Sequence, residues 1–151
     1  MALAKENPTW HIKGCDNVSD AVTLARHNQS KNLIRNTRFI ESSWFNALAE
    51  EKFDIILSNP PYVESDSEYL DQGDLRFEPL SALVSGGDGL DDIRVILSQA
   101  PTHLKTAGWL LIEHGFEQGQ SVRELFRNAG FNQTETICDY AGKERVTLGH
   151  L

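Results

Sequence analysis

Apolar and polar positions along the chain alternate between two patterns. Short, nearly continuous apolar runs at 10–15, 38–41, 53–58 and 109–113 read as strands. The first stops at Asp16, and Asn17 or Ser19 then caps a helix over 20–33, with Ala21, Leu24, Ala25 and Asn28 at helical spacing. A short helix over 44–50 follows the second run. The unbroken apolar character of 53–58 predicts burial on both faces, and the run must end at Asn59, because Pro60 and Pro61 remove two ladder donors. Residues 63–87 are polar and irregular, a connection of the length that often serves as a lid. A helix over about 89–104 carries Leu90, Ile93, Ile96, Leu97 and Ala100 on one face, and Gly108 turns into the buried run 109–113. A helix over 117–128 ends at Gly130. Strands over 132–137 and 145–151, joined by a turn at Gly142, close the chain.

Strands alternating with helices predict an α/β fold with a mostly parallel sheet and helices on both faces. In such sheets ligands gather beyond the carboxyl ends of the strands. Asp16, Asn59 and Glu113 all stand at strand carboxyl ends, and this is the first pointer to a site.

Composition narrows the partners. The 151 residues suit one domain, with 40% hydrophobic and 24% charged residues as in ordinary globular proteins. No apolar run approaches the roughly 18 residues needed to cross a bilayer, and the first six residues lack a signal-peptide profile. A cytoplasmic protein is expected. Fourteen Lys and Arg face 22 Asp and Glu, a formal charge of −8. The densest basic group, Lys31 with Arg35 and Arg38, is no counterion-displacing stripe, which disfavours direct nucleic-acid binding. Cys15 and Cys138 are far apart, read as reduced buried thiols, and no metal-ligand spacing occurs.

Asn59-Pro60-Pro61-Tyr62 carries the strongest chemistry. An amide or conjugated amine nitrogen is a poor nucleophile because its lone pair is delocalised. The Asn59 side-chain oxygen and the Pro60 carbonyl can accept its two N–H bonds and orient it toward a donor, an effect of several kcal/mol. The two prolines stiffen the corner, and Tyr62 offers a flat face for a planar group. Without its setting the same tetrapeptide is only a Pro-Pro turn with a surface aromatic. Its place after a strand and before a long loop favours function.

The corner resembles that of class I aminomethyltransferases. With Arg76-Phe77-Glu78-Pro79, Glu113-His114-Gly115 and Glu144-Arg145-Val146-Thr147-Leu148-Gly149, the chain resembles the HemK/PrmC family of protein-(glutamine-N5) methyltransferases over nearly its whole length. The resemblance implies a Rossmann-like class I fold and S-adenosyl-L-methionine as cofactor. It further implies, as substrate, the glutamine of the Gly-Gly-Gln loop in peptide chain release factors. Asn59, Pro60, Pro61 and Tyr62 become the catalytic corner, Asn59 also touching the cofactor. Asp16 becomes the ribose ligand, and Trp44 a wall beside adenine. Ser43 stands where the family usually has Asp, so any contact to the adenine amino group lacks charge. Arg76 and Glu78 become substrate contacts; without the resemblance they read as a surface ion pair worth about 0–1 kcal/mol. A general-base role for His114 is tempting but unneeded, because a protonated methylated amide loses its proton to water.

The family's Gly-rich loop of the Asp/Glu-x-Gly-x-Gly-x-Gly kind does not occur in these residues; the one glycine cluster, Gly86-Gly87-Asp88-Gly89, follows the long loop. The resemblance therefore implies a partial catalytic domain over 1–151, without the first strand, its cofactor loop and the amino-terminal helical domain. Losing about three backbone hydrogen bonds of roughly 0.5–1.5 kcal/mol each predicts cofactor binding weaker by about one to three decades. Negligible transfer by the chain alone is expected, and strand edges left open predict self-association or a rearranged sheet. Two other readings stay open: methylation of a nucleic-acid base amine, and a catalytically dead interaction module.

Overall fold

Backbone pairing sorts the strands into two separate sheets, one in each of two units, residues 1–50 and 51–151. The computed structural model describes residues 1–71, 73 and 75–151. Helices α1 (Ala2–Glu6) and α2 (Ser19–Lys31) belong to the first unit with strands β1 (Ile12–Asp16) and β2 (Thr37–Glu41). The two strands run parallel, with Gly14 opposite Phe39 and Asp16 opposite Glu41. A Cβ on Gly14 would lie 2.6 Å from the Phe39 ring, so only glycine lets that ring cross the strand. The Asn36 side-chain amide lies 3.0 Å from the carbonyl oxygens of Ala4, Asn7 and Trp10, tying α1 to the entry of the sheet.

Local chemistry corrects two sequence expectations here. Neither Asn17 nor Ser19 caps α2 with its side chain; the Val18 N–H instead donates to Asp16 Oδ1 at 2.8 Å. The buried face of α2 centres on Val22, while Leu24 is 59% exposed, because a two-stranded sheet is too narrow to cover a broad helical stripe. Residues 44–50 form turns rather than the expected helix. Positive φ at Trp44 and Ala49 breaks the helical path, and Ser42 Oγ accepts the Ala47 N–H at 3.0 Å.

The second unit orders its strands β3 (Phe53–Ser58), β4 (Leu104–Glu113), β6 (Glu144–His150) and β5 (Asn132–Cys138). β3 and β4 are parallel, whereas β6 is antiparallel to both neighbours. The last two strands form a hairpin through the Gly142 turn (φ 77°), so this sheet is mixed rather than mostly parallel. Helices α3 (Asp91–His103) and α4 (Gly119–Asn128) contribute Ile93, Ile96, Leu97, Ala100, Val122 and Phe126 to a core with Leu110, Ile112 and Phe131. Phe126 and Phe131 stack with centroids 5.2 Å apart.

β3 is not buried on both faces as its apolar run predicts. It stands last in the sheet order, paired among the described residues only to β4, and Ile55 and Leu57 are 40% and 50% exposed. β4 starts at Leu104, directly after α3, with Ala107 at φ 59° and a register shift opposite Phe53 and Ile55 in place of a simple turn at Gly108. The long connection is partly ordered: Val63 and Val84 bridge in parallel, and 3₁₀ turns occupy Glu68–Asp71, Leu75–Phe77 and Leu80–Ala82. Both cysteines are exposed rather than buried, and neither forms a disulfide.

Phe126→Ala should cost about 3–5 kcal/mol in urea unfolding. Leu57→Ala, half wetted already, should cost less than about 1 kcal/mol.

Candidate active site

Two groups of polar side chains stand at strand carboxyl ends, one in each unit. In the second unit β3 hands over to Asn59, which is exposed, and Pro60, which is buried, while Pro61 and Tyr62 are half-buried. Neither proline can donate to a ladder, so the chain leaves the sheet. It is caught again one residue later, where the Tyr62 and Val63 N–H groups both donate to the Leu83 carbonyl, at 3.1 and 2.8 Å. The Ser85 N–H donates back to the Val63 carbonyl, and Ser65 N–H donates to that of Gly86. These bonds close the base of the long connection against the corner.

The Tyr62 ring is held at its far end as well. Its hydroxyl donates to Glu113 Oε1 at 3.4 Å, and Glu113 ends β4. Burial and then the Glu113 charge push the phenol above its ordinary value, opposed by Arg145, with Glu78 adding to the rise. Tyr62 therefore stays a neutral donor, and Glu113, Arg145 and Glu78 lie within electrostatic reach of it. Arg76 and Glu78 are exposed; the Arg76 guanidinium sits 4.7 Å over the Phe77 ring, which is 75% exposed.

In the first unit a cleft of about 380 Å³ opens at the ends of β1 and β2, lined by Asn17, Glu41, Ser42, Ser43, Asn46 and Ala47. Ser43 is thus in the cleft. Asp16 precedes the lining residue Asn17 and is exposed, its carboxylate oriented by the Val18 N–H. Trp44 is half-buried next to Ser43 but is not among the lining residues. Neutral and anionic acceptors dominate this lining, a set that suits the hydroxyl and amino donors of a nucleoside. Glu41 and Asn46 were not anticipated from sequence, although Glu41 ends the strand beside Asp16 and could have been found by that register.

His114 follows Glu113 and is fully buried. Its hydrogen-bond partners decide its chemistry. Nδ1 lies 2.8 Å from the Gly115 carbonyl, which only accepts, so Nδ1 carries the proton. In the neutral ring Nε2 then accepts, and Thr147 Oγ1 at 2.8 Å must donate to it. Thr136 Oγ1 in turn donates to Thr147 at 2.9 Å, and Arg123, which only donates, completes the chain at 2.7 Å from Thr136 and 2.8 Å from Glu144. Every group is satisfied in one direction. Burial lowers the imidazole below its ordinary 6.5, against the opposing pull of the Gly115 bond. His114 is a neutral structural group inside the hairpin, with no open nitrogen for a substrate.

The family model described as "Methyltransferase small domain" matches residues 1–142 of this chain. The chain belongs to that family. This methyltransferase-family chain is 50% identical over 147 residues to the release factor glutamine methyltransferase of Pseudomonas aeruginosa, covering 97% of itself and 53% of that protein. It is 46% identical over 149 residues to the protein of the same name from Escherichia coli, covering 99% and 54%. It therefore spans about half the length of the curated relatives it matches. Among solved structures, a Pyrococcus furiosus methyltransferase matches with TM-score 0.70 at 19% identity, over 98% of this chain and 67% of that one. The T. thermophilus 16S rRNA N2 G1207 methyltransferase, solved with AdoMet and guanosine, matches with TM-score 0.62 at 17% identity, over 91% and 30%. The fold is that of α/β class I methyltransferases. No helix among the described residues is long and apolar enough to cross a membrane.

The buried His114 sets a pH dependence. Its folded value lies below the unfolded one, so the unfolded chain binds the extra proton first, and stability is lost as pH falls through 6.5. Unfolding midpoints measured from pH 8 to 5 should show this slope, and His114→Asn should flatten it. Thr147→Val, which orphans Nε2, should cost about 1–3 kcal/mol.

Proposed function

We propose that the chain is the catalytic part of an S-adenosyl-L-methionine-dependent methyltransferase acting on the side-chain amide of a glutamine in peptide chain release factors. One observation carries the reading. A rigid corner holds Asn59 exposed at the end of β3, and Tyr62 beside it is anchored to Glu113. The names of the relatives at 46–50% identity support the substrate class.

On this reading the Asn59 side-chain oxygen and the Pro60 carbonyl accept the two amide N–H bonds, turning the nitrogen lone pair toward the donor. Pro61 keeps the two acceptors in place before the substrate arrives, so little reorganisation remains for the transition state. The Tyr62 face stacks on the planar amide. Arg76 and Glu78 contact the backbone around the glutamine. When bound, the cofactor supplies an electrophilic sulfonium methyl group. Asp16 would hold its ribose hydroxyls, Ser43 its adenine edge as an uncharged acceptor, Trp44 its ring face, and Asn59 the side near the transferred group. The proton released from nitrogen passes to water, since His114 is sealed in its own network. A cytoplasmic location fits a partner from translation.

The exposed Ile55 and Leu57 on the terminal strand β3 also support self-association of the isolated chain. Light scattering should find mass rising with concentration, and Leu57→Lys should suppress it; a monodisperse monomer at all concentrations would contradict it.

Radiolabelled methyl transfer tests the function, at cofactor concentrations up to millimolar, with a release factor, DNA and RNA offered in parallel. Transfer by the chain alone is expected to be very weak even at millimolar cofactor; what label appears should lie on the release-factor glutamine and vanish in Asn59→Ala. Label on nucleic acid instead overturns the assignment. If no acceptor is labelled, nuclear magnetic resonance titration with a Gly-Gly-Gln peptide decides: shifts confined to 59–62 keep the amide site, and none removes it.

A further inference from the structure

Gln118 stands immediately before α4, and its side-chain amide joins three segments that are remote in sequence. Nε2 donates one hydrogen to the Tyr62 carbonyl at 3.0 Å and the other to the Asp88 carbonyl at 3.2 Å. Oε1 accepts the Gly115 N–H at 2.8 Å. Both amide hydrogens and the oxygen are thus engaged. A second observation converges on the same carbonyl. Gly89 has φ 69°, and a Cβ there would lie 2.4 Å from the Tyr62 oxygen and 2.7 Å from Gln118 Nε2. The turn at Gly89 is therefore bare where the Tyr62 carbonyl and the Gln118 amide meet.

We propose that Gln118 is a positioning residue for the amide-binding corner. It clamps the carbonyl of Tyr62 from the α4 side, while Leu83 holds the Tyr62 and Val63 N–H groups from the other. The peptide unit after two prolines has no ladder to fix it; these two holds replace the ladder. The direction of the Tyr62 ring, and of the Asn59 and Pro60 oxygens upstream, then depends on a residue that does not touch substrate. This inference rests on the amide-site reading for its functional meaning, but the clamp itself is measurable without it.

The alternative is a role confined to the start of α4, through the Oε1 contact to Gly115. Gln118→Glu separates the two. It keeps an oxygen for the Gly115 N–H and adds negative charge at a helix N-terminus, which is favourable there. It also turns a carboxylate toward the carbonyl oxygens of Tyr62 and Asp88, where a donor is needed. Amide hydrogen exchange is followed at Tyr62 and Val63, with Leu110 and Ile112 as core references. In Gln118→Ala and Gln118→Glu alike, exchange at Tyr62 and Val63 should rise about tenfold or more with the references unchanged. Affinity for a Gly-Gly-Gln peptide should fall in both, with Glu at least as damaging as Ala. Wild-type exchange in Gln118→Glu overturns the clamp, as does acceleration spread equally over Leu110 and Ile112. Local acceleration in a protein that never binds the peptide keeps the clamp and removes the amide-site reading instead.

Discussion

A proline pair at the end of a strand is a demand for outside support. Residues in a ladder are fixed by their neighbours' N–H and C=O groups, but Pro60 and Pro61 donate nothing. Whatever follows them must be placed by bonds from elsewhere in the fold. Here the Leu83 carbonyl takes two N–H groups, the Gln118 amide takes the next carbonyl, and the Tyr62 hydroxyl reaches Glu113. The long connection, the lead-in to α4 and the end of β4 are thus organised around one corner. A site built this way is rigid without any side chain being spent on covering it, which leaves Asn59 open.

The same corner explains which parts of the fold could be read from sequence. The proline pair, the apolar runs and the helical spacing of Ile93, Ile96, Leu97 and Ala100 are local signals, and strands β1 to β3 and helices α2 to α4 appeared close to where these signals placed them, while β4 begins five residues before its apolar run. Residues 44–50 failed because positive φ at Trp44 and Ala49 is imposed by the turn that Ser42 organises, against ordinary helix formers. The burial of β3 failed because an apolar run says what a strand tolerates, not how many neighbours it has. Ile55 and Leu57 stay wet at the end of the sheet order. Asn59, Asp16 and Glu113 were legible as candidates through their strand-end positions, and Ser43 only through the family resemblance. Gln118 was not, because its partners Tyr62 and Asp88 are brought to it only by the fold.

His114 shows how a tempting sequence signal is emptied by geometry. A histidine after a strand-end glutamate looks like an acid-base pair. Yet its two nitrogens are committed between an acceptor-only carbonyl and a hydroxyl chain that ends on a donor-only guanidinium. Protonation would need that chain to reverse in a buried place already holding Arg123. The fold uses the imidazole to tie the end of β4 to Thr147 of β6, while Arg123 ties the hairpin to α4.

At the other unit the constraint is charge rather than rigidity. Asp16 and Glu41 are register partners at the ends of two parallel strands, so two acidic residues end the sheet together. The Val18 N–H at 2.8 Å settles one oxygen of Asp16 and aims the group without neutralising it. Ser43 adds an uncharged hydroxyl to the lining, and Asn17 and Asn46 supply amides that both donate and accept. Discrimination by neutral hydrogen bonds depends on direction more than on attraction. The irregular turn at 44–50, which carries Asn46 and Ala47 of the lining and follows Ser43, therefore shapes that cleft, and its two positive-φ residues, Trp44 and Ala49, set the path of the turn.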